Sequence, residues 1–426
     1  MARLFSFTAI LASFINSSNA DGFLRKAHQF PGLTNFREEG IYKSTSTHIF
    51  MESVARLSSR DDIEKQGLVS DDHVHQVVFV VQQKNMDELT RILHDVSDPS
   101  SVNYGQHMTK DQVRKMTHNP EARDAIMKFI HANGATLDSE TLSSEYMIAS
   151  APISVWTRAL NTEFYTFHQT HYDGTVDKVV RAERYWIPKE LDEHVESVLN
   201  TVQMPLQSFG SLPTRQKSPI HTAGFDFSTK ITPQKLRSYY NVGQSKGSPA
   251  STQGIFATIG QYFSPADLRY FFNTMGLPDQ PVASSTGNHT SDIKCIQDSS
   301  ACSEANLDVQ YIMAASPGSP TSYMYTDKTF SSWLVEVANM TNPPLVLSIS
   351  YGAEETGMQY SDMNAFSTEA IKMGVIGITI VVASGDDGAI TRKARTLGTA
   401  SCSYSPFFPA SSPYVVSVGA TSVSVR

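Results

Sequence analysis

The sequence after residue 228, the second part of this chain, alternates near-continuous apolar strands with helices. Unbroken apolar runs at residues 254–259, 345–350 and 378–382 are typical of strands buried on both faces. Helical periodicity predicts helices between them, at residues 329–338 and 363–373. The alternation therefore predicts an α/β fold in which helices cover both faces of a mostly parallel sheet. In such sheets functional groups gather at the carboxyl ends of the strands.

The first part, up to residue 205, is organised differently. A strand-like run at residues 76–81 is followed by helices, one of them capped by Asn119, and by strand-like stretches at residues 146–150 and 162–168. This order predicts a small α+β domain with an antiparallel sheet. Residues 206–228 are rich in Ser, Thr, Pro and Gly, which predicts an exposed linker that proteases can cut.

Residues 1–20 have the features of an export signal: Arg3, an apolar run over residues 4–15, and small residues near a cleavage site. No later stretch is as long as a membrane helix, so we expect no membrane span and a secreted or lysosomal/vacuolar lumenal protein. Glycosylation sequons at Asn288 and Asn339 fit that compartment. The net charge of −8 and the lack of a Lys/Arg cluster make nucleic acid an unexpected partner.

The chain has three cysteines, Cys295, Cys302 and Cys402. In an oxidising compartment Cys295 and Cys302 can close a short loop, which leaves Cys402 over. Cys402 is then either a buried free thiol or the partner of a cysteine outside this sequence.

Two acids, Glu304 and Asp308, are four residues apart in the second part. If Ser303 caps a helix here, both side chains project from one helical face, because four residues make about one turn. Two carboxyls held this close do not both ionise freely, so one tends to keep a proton while the other acts as a base. The plainer interpretation is a pair of acids stabilised by the helix dipole.

Histidine distribution favours the catalytic interpretation. Of the 13 histidines, all but His289 lie at or before His221, so the second part has little material for a Ser-His-Asp triad or a histidine zinc site. Carboxyl groups must then transfer protons, which suggests an acidic working pH. Asp386 follows the last apolar strand, where a catalytic acid is expected, although a Gly- and Asp-rich turn there is also structurally common.

Four segments resemble, in order and spacing, the sedolisins, also called serine-carboxyl peptidases. They are Glu-Ala-Asn-Leu-Asp-Val-Gln-Tyr at 304–311, Ser-Ile-Ser-Tyr-Gly at 348–352, Ala-Ser-Gly-Asp at 383–386, and the segment 408–419 that contains Pro-Tyr-Val-Val. The tripeptidyl-peptidase subgroup is the most similar, and the resemblance covers nearly everything after residue 20.

The resemblance implies a subtilisin-like sheet in the second part, preceded by a ferredoxin-like propeptide domain. The domains expected on this basis are a signal peptide at 1–20, a propeptide at 21–205, a linker with the activation cleavage at 206–228, and the first part of the catalytic domain at 229–426.

Residue by residue, the resemblance implies that Glu304 is the general base for a serine nucleophile and that Asp308 orients it. Asp386 is similar to the acid that, when protonated, donates a hydrogen bond to the developing oxyanion. The segment that pairs with the substrate backbone is expected to include Ser348, Ser350, Tyr351 and Gly352.

The sequence departs from the family in one respect. Sedolisins carry their nucleophile in a later Ser-Gly-Thr-Ser motif and bind calcium later still, whereas Ser422 and Ser424 resemble that motif only superficially. We therefore expect the serine and the calcium site to be missing from this chain.

Two functional hypotheses follow. The first is an acid-acting, tripeptidyl-peptidase-like serine peptidase made as a secreted zymogen, with peptides or proteins as substrates and its own propeptide as intramolecular inhibitor. The alternative is a catalytically inactive truncated homologue that binds or inhibits an intact paralogue. A fragment that does not fold stably is a third, simpler possibility.

Overall fold

The computed structural model describes residues 44–54, 60, 62–171, 174–206, 231–243, 246–388 and 406–421, all of which belong to one compact unit. The predicted signal peptide, nearly all of the predicted linker, Cys402, Ser422 and Ser424 lie outside the described residues. None of the helices in these ranges is long and apolar enough to cross a membrane.

The first part contains nine strands and four helices within its described residues. The strands are β1 (His48–Ser53), β2 (Ile63–Leu68), β3 (Val74–Val81), β4 (Thr136–Glu140), β5 (Tyr146–Pro152), β6 (Phe164–Thr170), β7 (Val176–Ala182), β8 (Arg184–Pro188) and β9 (Val195–Leu199). The helices are α1 (Met86–Ser97), α2 (Lys110–Thr117), α3 (Pro120–Ala132) and α4 (Ile153–Ala159).

Local sequence explains where these helices begin. Asn119 caps α3 by accepting a hydrogen bond from the Ala122 N–H at 3.3 Å, as predicted. Thr109 and Gln112 form a reciprocal capping box at the start of α2. Both caps satisfy backbone N–H groups that the first helical turn leaves without a partner.

The antiparallel sheet predicted for the first part is present. Its strand order is β4-β5-β3-β9, and every neighbouring pair is antiparallel. Its core surrounds Trp156, which is fully buried and donates its indole N–H to the His75 carbonyl at 2.9 Å. Two further small antiparallel sheets join β1 to β8 and β2 to β6 and β7. The sequence analysis missed most of these additional strands.

The second part contains eight strands and six α-helices within its described residues. The strands are β10 (Gln253–Ala257), β11 (Ser284–Thr286), β12 (Thr321–Tyr325), β13 (Val346–Ile349), β14 (Ala353–Glu354), β15 (Thr379–Ala383), β16 (Phe407–Phe408) and β17 (Val416–Val418). The helices are α5 (Pro233–Tyr239), α6 (Pro265–Met275), α7 (Asp292–Gln297), α8 (Ser303–Ala315), α9 (Phe330–Asn339) and α10 (Tyr360–Val375).

Six of these strands form one parallel sheet in the order β11-β12-β10-β13-β15-β17. Alternate residues of β10 enter different cores. Phe256 packs with α9 and α10, whereas Ile255 and Ala257 pack with α6 and α8. The predicted parallel sheet with helices on both faces is therefore confirmed, while the finer subtilisin-like description stays a prediction.

The first part contacts the second chiefly along α10. At the start of this helix, the buried Glu52 carboxylate accepts hydrogen bonds from the Ser361 N–H at 3.0 Å and the Ser361 hydroxyl at 2.5 Å. Near its end, Lys372 forms an ion pair with Glu145 at 3.2 Å. Side chains of the first part thus hold both ends of α10.

Phe256 offers a test of the core beneath the sheet. It is fully buried, and its ring centroid lies 4.9 Å from that of Trp333 and 5.6 Å from that of Tyr351. We expect Phe256→Ala to lower the free energy of unfolding by about 3–5 kcal/mol, because it leaves a cavity that its neighbours only partly fill. Urea unfolding measures this loss. Tyr270→Ala, at a side chain that is 74% exposed, is the control and should cost less than about 0.5 kcal/mol; equal losses would contradict the packing described.

Candidate active site

The parallel sheet brings distant residues to one edge. Strands β10, β13 and β15 run in the same direction, so the segments after their carboxyl ends lie side by side. These segments carry Gln261, Ser350 and Asp386. The first turn of α8 approaches the same edge and supplies Glu304.

Helix α8 places the two acids on one face, as the four-residue spacing predicted. The prediction that Ser303 caps this helix is wrong: Ser303 is its first helical residue and Cys302 precedes it without a side-chain cap. The chain enters α8 directly from a short 3-10 helix, Ser299–Cys302, so no separate capping turn is needed. A disulfide joins Cys295 and Cys302, with an S–S distance of 2.02 Å, and connects α7 to this entry.

Asp308 lies deep in the site. Its Oδ1 accepts a hydrogen bond from the Ser350 hydroxyl at 2.7 Å, while its buried Oδ2 has no hydrogen-bond partner among the described residues. Burial and the neighbouring Glu304 raise the pKa of Asp308 to about 8, against the opposing effect of the Ser350 hydrogen bond. Asp308 is therefore the member of the pair that keeps a proton at neutral and acidic pH.

Glu304 is held by its backbone rather than by its side chain. Its N–H donates to Gln261 Oε1 at 3.2 Å, and Gln261 Nε2 in turn donates to the Ser300 carbonyl at 3.0 Å. Burial raises the pKa of Glu304, and the negative charge of Asp386 adds to the increase. A carboxylate whose pKa is raised is a stronger base once it has lost its proton.

Asp386 stands in the turn after β15 and is exposed. Gly385 precedes it with φ at +86°, a left-handed conformation that favours glycine. The Ser384 N–H donates to the Val418 carbonyl at 3.0 Å, which fixes the start of this turn against β17. The negative charge of Asp386 contributes to the raised pKa of Glu304, so the two carboxyls interact electrostatically.

The residues predicted to bind substrate separate into two groups. Ser348 lies inside the sheet, paired with Ile255 on one side and Val381 on the other, so its backbone is not available to a substrate strand. A contact between Ser348 and a substrate stays a prediction, and its backbone is already paired on both sides because β13 is a central strand. Ser350, Tyr351 and Gly352 lie beyond the end of β13, and for them the prediction stays open.

Tyr351 and Gly352 shape the wall of the site. Burial, together with the charges of Asp308 and Glu304, raises the pKa of Tyr351 well above its ordinary value, so the hydroxyl stays protonated. A Cβ on Gly352 would lie only 2.3 Å from the Phe407 ring, so this position tolerates no side chain without movement of β16.

Gln261 is a site residue that the sequence analysis missed. Gln261 is buried, and its backbone carbonyl accepts a hydrogen bond from the Tyr323 hydroxyl at 2.7 Å. Its side chain forms hydrogen bonds with the backbones of both Ser300 and Glu304. Its place shortly after the apolar run of β10 is the signal that could have identified it, since the carboxyl ends of parallel strands attract functional groups.

Comparison with known proteins decides the family. Residues 61–204 match the family described as Pro-kumamolisin, activation domain. Tripeptidyl-peptidase 1 of Macaca fascicularis is 30% identical over 370 residues, which are 81% of this chain and 61% of that protein. Physarolisin of Physarum polycephalum is 27% identical over 397 residues, or 88% of this chain and 65% of that protein. The chain belongs to the sedolisin family. Within it, the chain is tripeptidyl-peptidase-like, as its sequence predicted, and the family is one of serine-carboxyl peptidases.

Two further observations qualify these similarities. The chain spans about three fifths of the length of the curated sedolisin relatives that it matches. The solved structure of Pseudomonas sedolisin complexed with two molecules of pseudo-iodotyrostatin superposes with a TM-score of 0.35 and 21% identity, over 45% of this chain and 53% of that one.

The calcium expected from the resemblance to the family stays an untested prediction for this chain. In the described ranges no group of three or more His, Cys, Asp or Glu side chains could hold a metal ion. The acids at the sheet edge do not form such a group, and Asp308 is engaged with Ser350 instead.

The two predicted glycosylation residues of this sedolisin chain, Asn288 and Asn339, are both exposed. Asn339 lies at the end of α9, where its side-chain amide donates to the Val335 carbonyl at 2.8 Å. The histidine beside Asn288 is not free in solvent: the His289 ring stacks on Tyr325 and also contacts Tyr262. Glycosylation itself stays a prediction.

The proton on Asp308 predicts a pH-dependent stability. Asp308 keeps its proton in the folded chain up to about pH 8, whereas an unfolded aspartate loses it near pH 4. The free energy of unfolding should therefore fall as pH rises between these values. We expect Asp308→Asn, which can still accept the Ser350 hydrogen bond, to reduce that fall by on the order of 2 kcal/mol between pH 5 and pH 8.

Urea unfolding at several pH values measures the difference. Asp279→Asn, at an exposed residue of the second part, is the matched control and should leave the wild-type pH dependence unchanged. Parallel curves for wild type and Asp308→Asn would rule out a proton held on Asp308.

Proposed function

We propose that the chain is the propeptide and the first part of the catalytic domain of an acid-acting serine-carboxyl peptidase of the tripeptidyl-peptidase type. In this proposal Glu304 removes the proton from a serine nucleophile, Asp308 orients Glu304, and protonated Asp386 donates a hydrogen bond to the oxyanion. Peptides or proteins are the substrates, and the first part inhibits the enzyme until the linker is cut.

The observation that carries the proposal is the arrangement of three carboxyl groups at the carboxyl edge of the sheet. Asp308 holds a proton next to Glu304, so Glu304 can lose its own proton without placing two negative charges side by side. Asp386 follows β15 at the same edge of the sheet, and the proposal places it on the side of the scissile carbonyl opposite Glu304. A carboxyl group donates only when it is protonated, so this chemistry requires acidic pH.

Ser350 is not a suitable nucleophile in this arrangement. Its hydroxyl donates to Asp308, whereas a nucleophilic serine must donate to the base that removes its proton. The proposal therefore assigns the nucleophile to the Ser-Gly-Thr-Ser motif that the family carries, and this motif does not occur in the 426 residues.

The division into a propeptide and an enzyme is supported by two observations. The activation-domain match covers residues 61–204, within the predicted propeptide at 21–205. The antiparallel sheet of the first part and the parallel sheet of the second have separate hydrophobic cores. The boundaries of the signal peptide and the linker belong to the proposal.

A secreted or lysosomal/vacuolar lumenal location completes the proposal. The disulfide between Cys295 and Cys302 supports it, because disulfides persist chiefly in oxidising compartments. Acid-dependent chemistry at the three carboxyls is suited to a compartment of low pH.

Hydrolysis of a fluorogenic tripeptide amide between pH 3 and pH 7 tests the function. We expect a longer product of the same locus that carries a Ser-Gly-Thr-Ser motif to be active at acidic pH after linker cleavage. Glu304→Gln in that product should lower kcat by about 10²–10⁴-fold, because a positioned general base contributes that much.

Glu336→Gln is the matched control, since Glu336 is an exposed glutamate of the second part that pairs with Lys328. It should retain wild-type activity. If Glu304→Gln were as active as this control, the assignment of the base would be wrong. Hydrolysis by the 426-residue chain itself would show that its nucleophile lies within these residues, whereas an inactive chain that inhibits an active sedolisin would favour the inhibitor alternative.

A further inference from the structure

Four ionisable residues form a cluster between the first part and α10, which we call the interface cluster: Glu145, Glu196, Glu369 and Lys372. Lys372 Nζ lies 2.9 Å from Glu369 Oε1 and 3.2 Å from Glu145 Oε1. The side chains of Glu145, Glu369 and Lys372 are 9%, 2% and 12% exposed. Glu196, on β9, is half-buried, accepts a hydrogen bond from the Asn364 amide and has no ion pair among the described residues.

The charges in the interface cluster do not balance. Full ionisation would place three carboxylates beside one ammonium. Tyr146 from β5 faces the same space and donates its hydroxyl to Glu369 at 3.1 Å, but it adds no positive charge. Burying two uncompensated negative charges is unfavourable, so the cluster should take up protons when the two parts are in contact.

Other charged groups around the cluster are engaged elsewhere. Lys110 and Arg114 of α2 line a cavity of about 50 Å³ beside Glu145 and Lys372. Lys110 donates to the Ala338 and Met340 carbonyls, and Arg114 contacts Asp111 at 3.2 Å. From α9, Glu336 faces solvent and pairs with Lys328. None of these contacts neutralises Glu196.

The geometry points to a proton-linked contact that holds the first part on α10 more tightly at about pH 5 than at about pH 7.5, with Glu196 as its proton-binding residue. Acidification over this range therefore strengthens the contact instead of releasing the first part. A role of this contact in enzyme activation rests on the proposed function, in which the first part is the propeptide. The pH dependence of the contact itself follows from the residues at the interface alone.

The direction of each pKa change agrees with this inference. Burial raises the pKa of Glu196 to about 7, and burial also raises that of Glu369. A carboxyl whose pKa is raised in the bound state contributes most below its free pKa, and the contribution is lost as pH rises through the bound value. Binding through Glu196 therefore strengthens from about pH 7 down to about pH 4.5.

Glu145 has the opposite dependence and sets the lower limit. Burial is the largest single effect and raises its pKa, but the charge of Lys372 together with hydrogen bonds from the backbone, Thr141 and Lys372 outweighs burial, so the net pKa is lowered. The contribution of Glu145 is present above its free pKa and is lost as pH falls through the lowered value. The contact should therefore be strongest at mildly acidic pH and should weaken at more strongly acidic pH, where Glu145 becomes protonated.

Hydrogen exchange of the α10 amides in the full chain, expressed as protection factors, tests the inference. Glu196→Gln carries no charge at any pH and can keep a hydrogen bond to Asn364. We expect the ratio of wild-type to Glu196→Gln protection to rise by roughly ten- to fiftyfold from pH 7.5 to pH 5, because a pKa of about 7 is compared with one of 4.5. Taking this ratio cancels other titrations, including that of buried His75, whose pKa is lowered to about 4.

Glu193→Gln, three residues earlier and exposed, is the matched control and should follow wild type at every pH. A wild-type to Glu196→Gln ratio that is constant, or that falls on acidification, would overturn the inference.

Lys372→Met keeps the test decisive if Glu196→Gln does not fold. Removal of the only ammonium of the cluster should lower protection more at pH 7.5 than at pH 5, and an equal loss at both pH values would also overturn the inference. Hydrogen exchange does not depend on peptide hydrolysis. The proton-linked contact can therefore be confirmed in a chain without peptidase activity, or be absent in a chain that has it.

Discussion

All six strands of the main sheet run in the same direction, and the arrangement of the second part depends on this constraint. A parallel sheet needs a crossover between consecutive strands, and here the crossovers are helices that cover both faces. Because every strand ends at the same edge, Gln261, Ser350 and Asp386 become neighbours although about 125 residues of sequence separate the first from the last. An antiparallel arrangement would have divided these residues between two edges.

Carboxyl groups are removed from water at two places in the structure. At the sheet edge, Asp308 holds a proton because it is buried beside Glu304. At the contact with α10, Glu196 is half-buried and has no ion pair among the described residues. In both places the protein removes negative charge from water without fully compensating it, so protonation becomes part of the folded structure. Acidic conditions therefore favour the folded arrangement at both places.

The sequence was sufficient for the elements that periodicity and spacing determine. Apolar runs located β10, β13 and β15 to within about two residues, and the four-residue spacing located Glu304 and Asp308 on one face of a helix. The short and edge strands escaped prediction because β1, β8 and β11 have no clear alternation of their own and are defined by their partners.

The errors in the site have physical causes. Ser303 looks like a helix cap in the sequence, yet the preceding 3-10 helix makes a cap unnecessary. The sequence also did not show that Ser348 has a paired neighbour on both sides, because the order of strands in a sheet is a property of the whole fold. Gln261 acts through tertiary contacts to Ser300 and Glu304, which no local pattern records.

The hydrogen bonds between Glu52 and Ser361 join residues that are 309 positions apart. Glu52 supplies to α10 the terminal acceptor that a residue of the helix itself normally provides. A substitution at Ser361 therefore affects two properties, the stability of the helix itself and its contact with a distant segment. If that segment is removed during maturation, α10 keeps a residue at its start that is suited to the segment with which it folded.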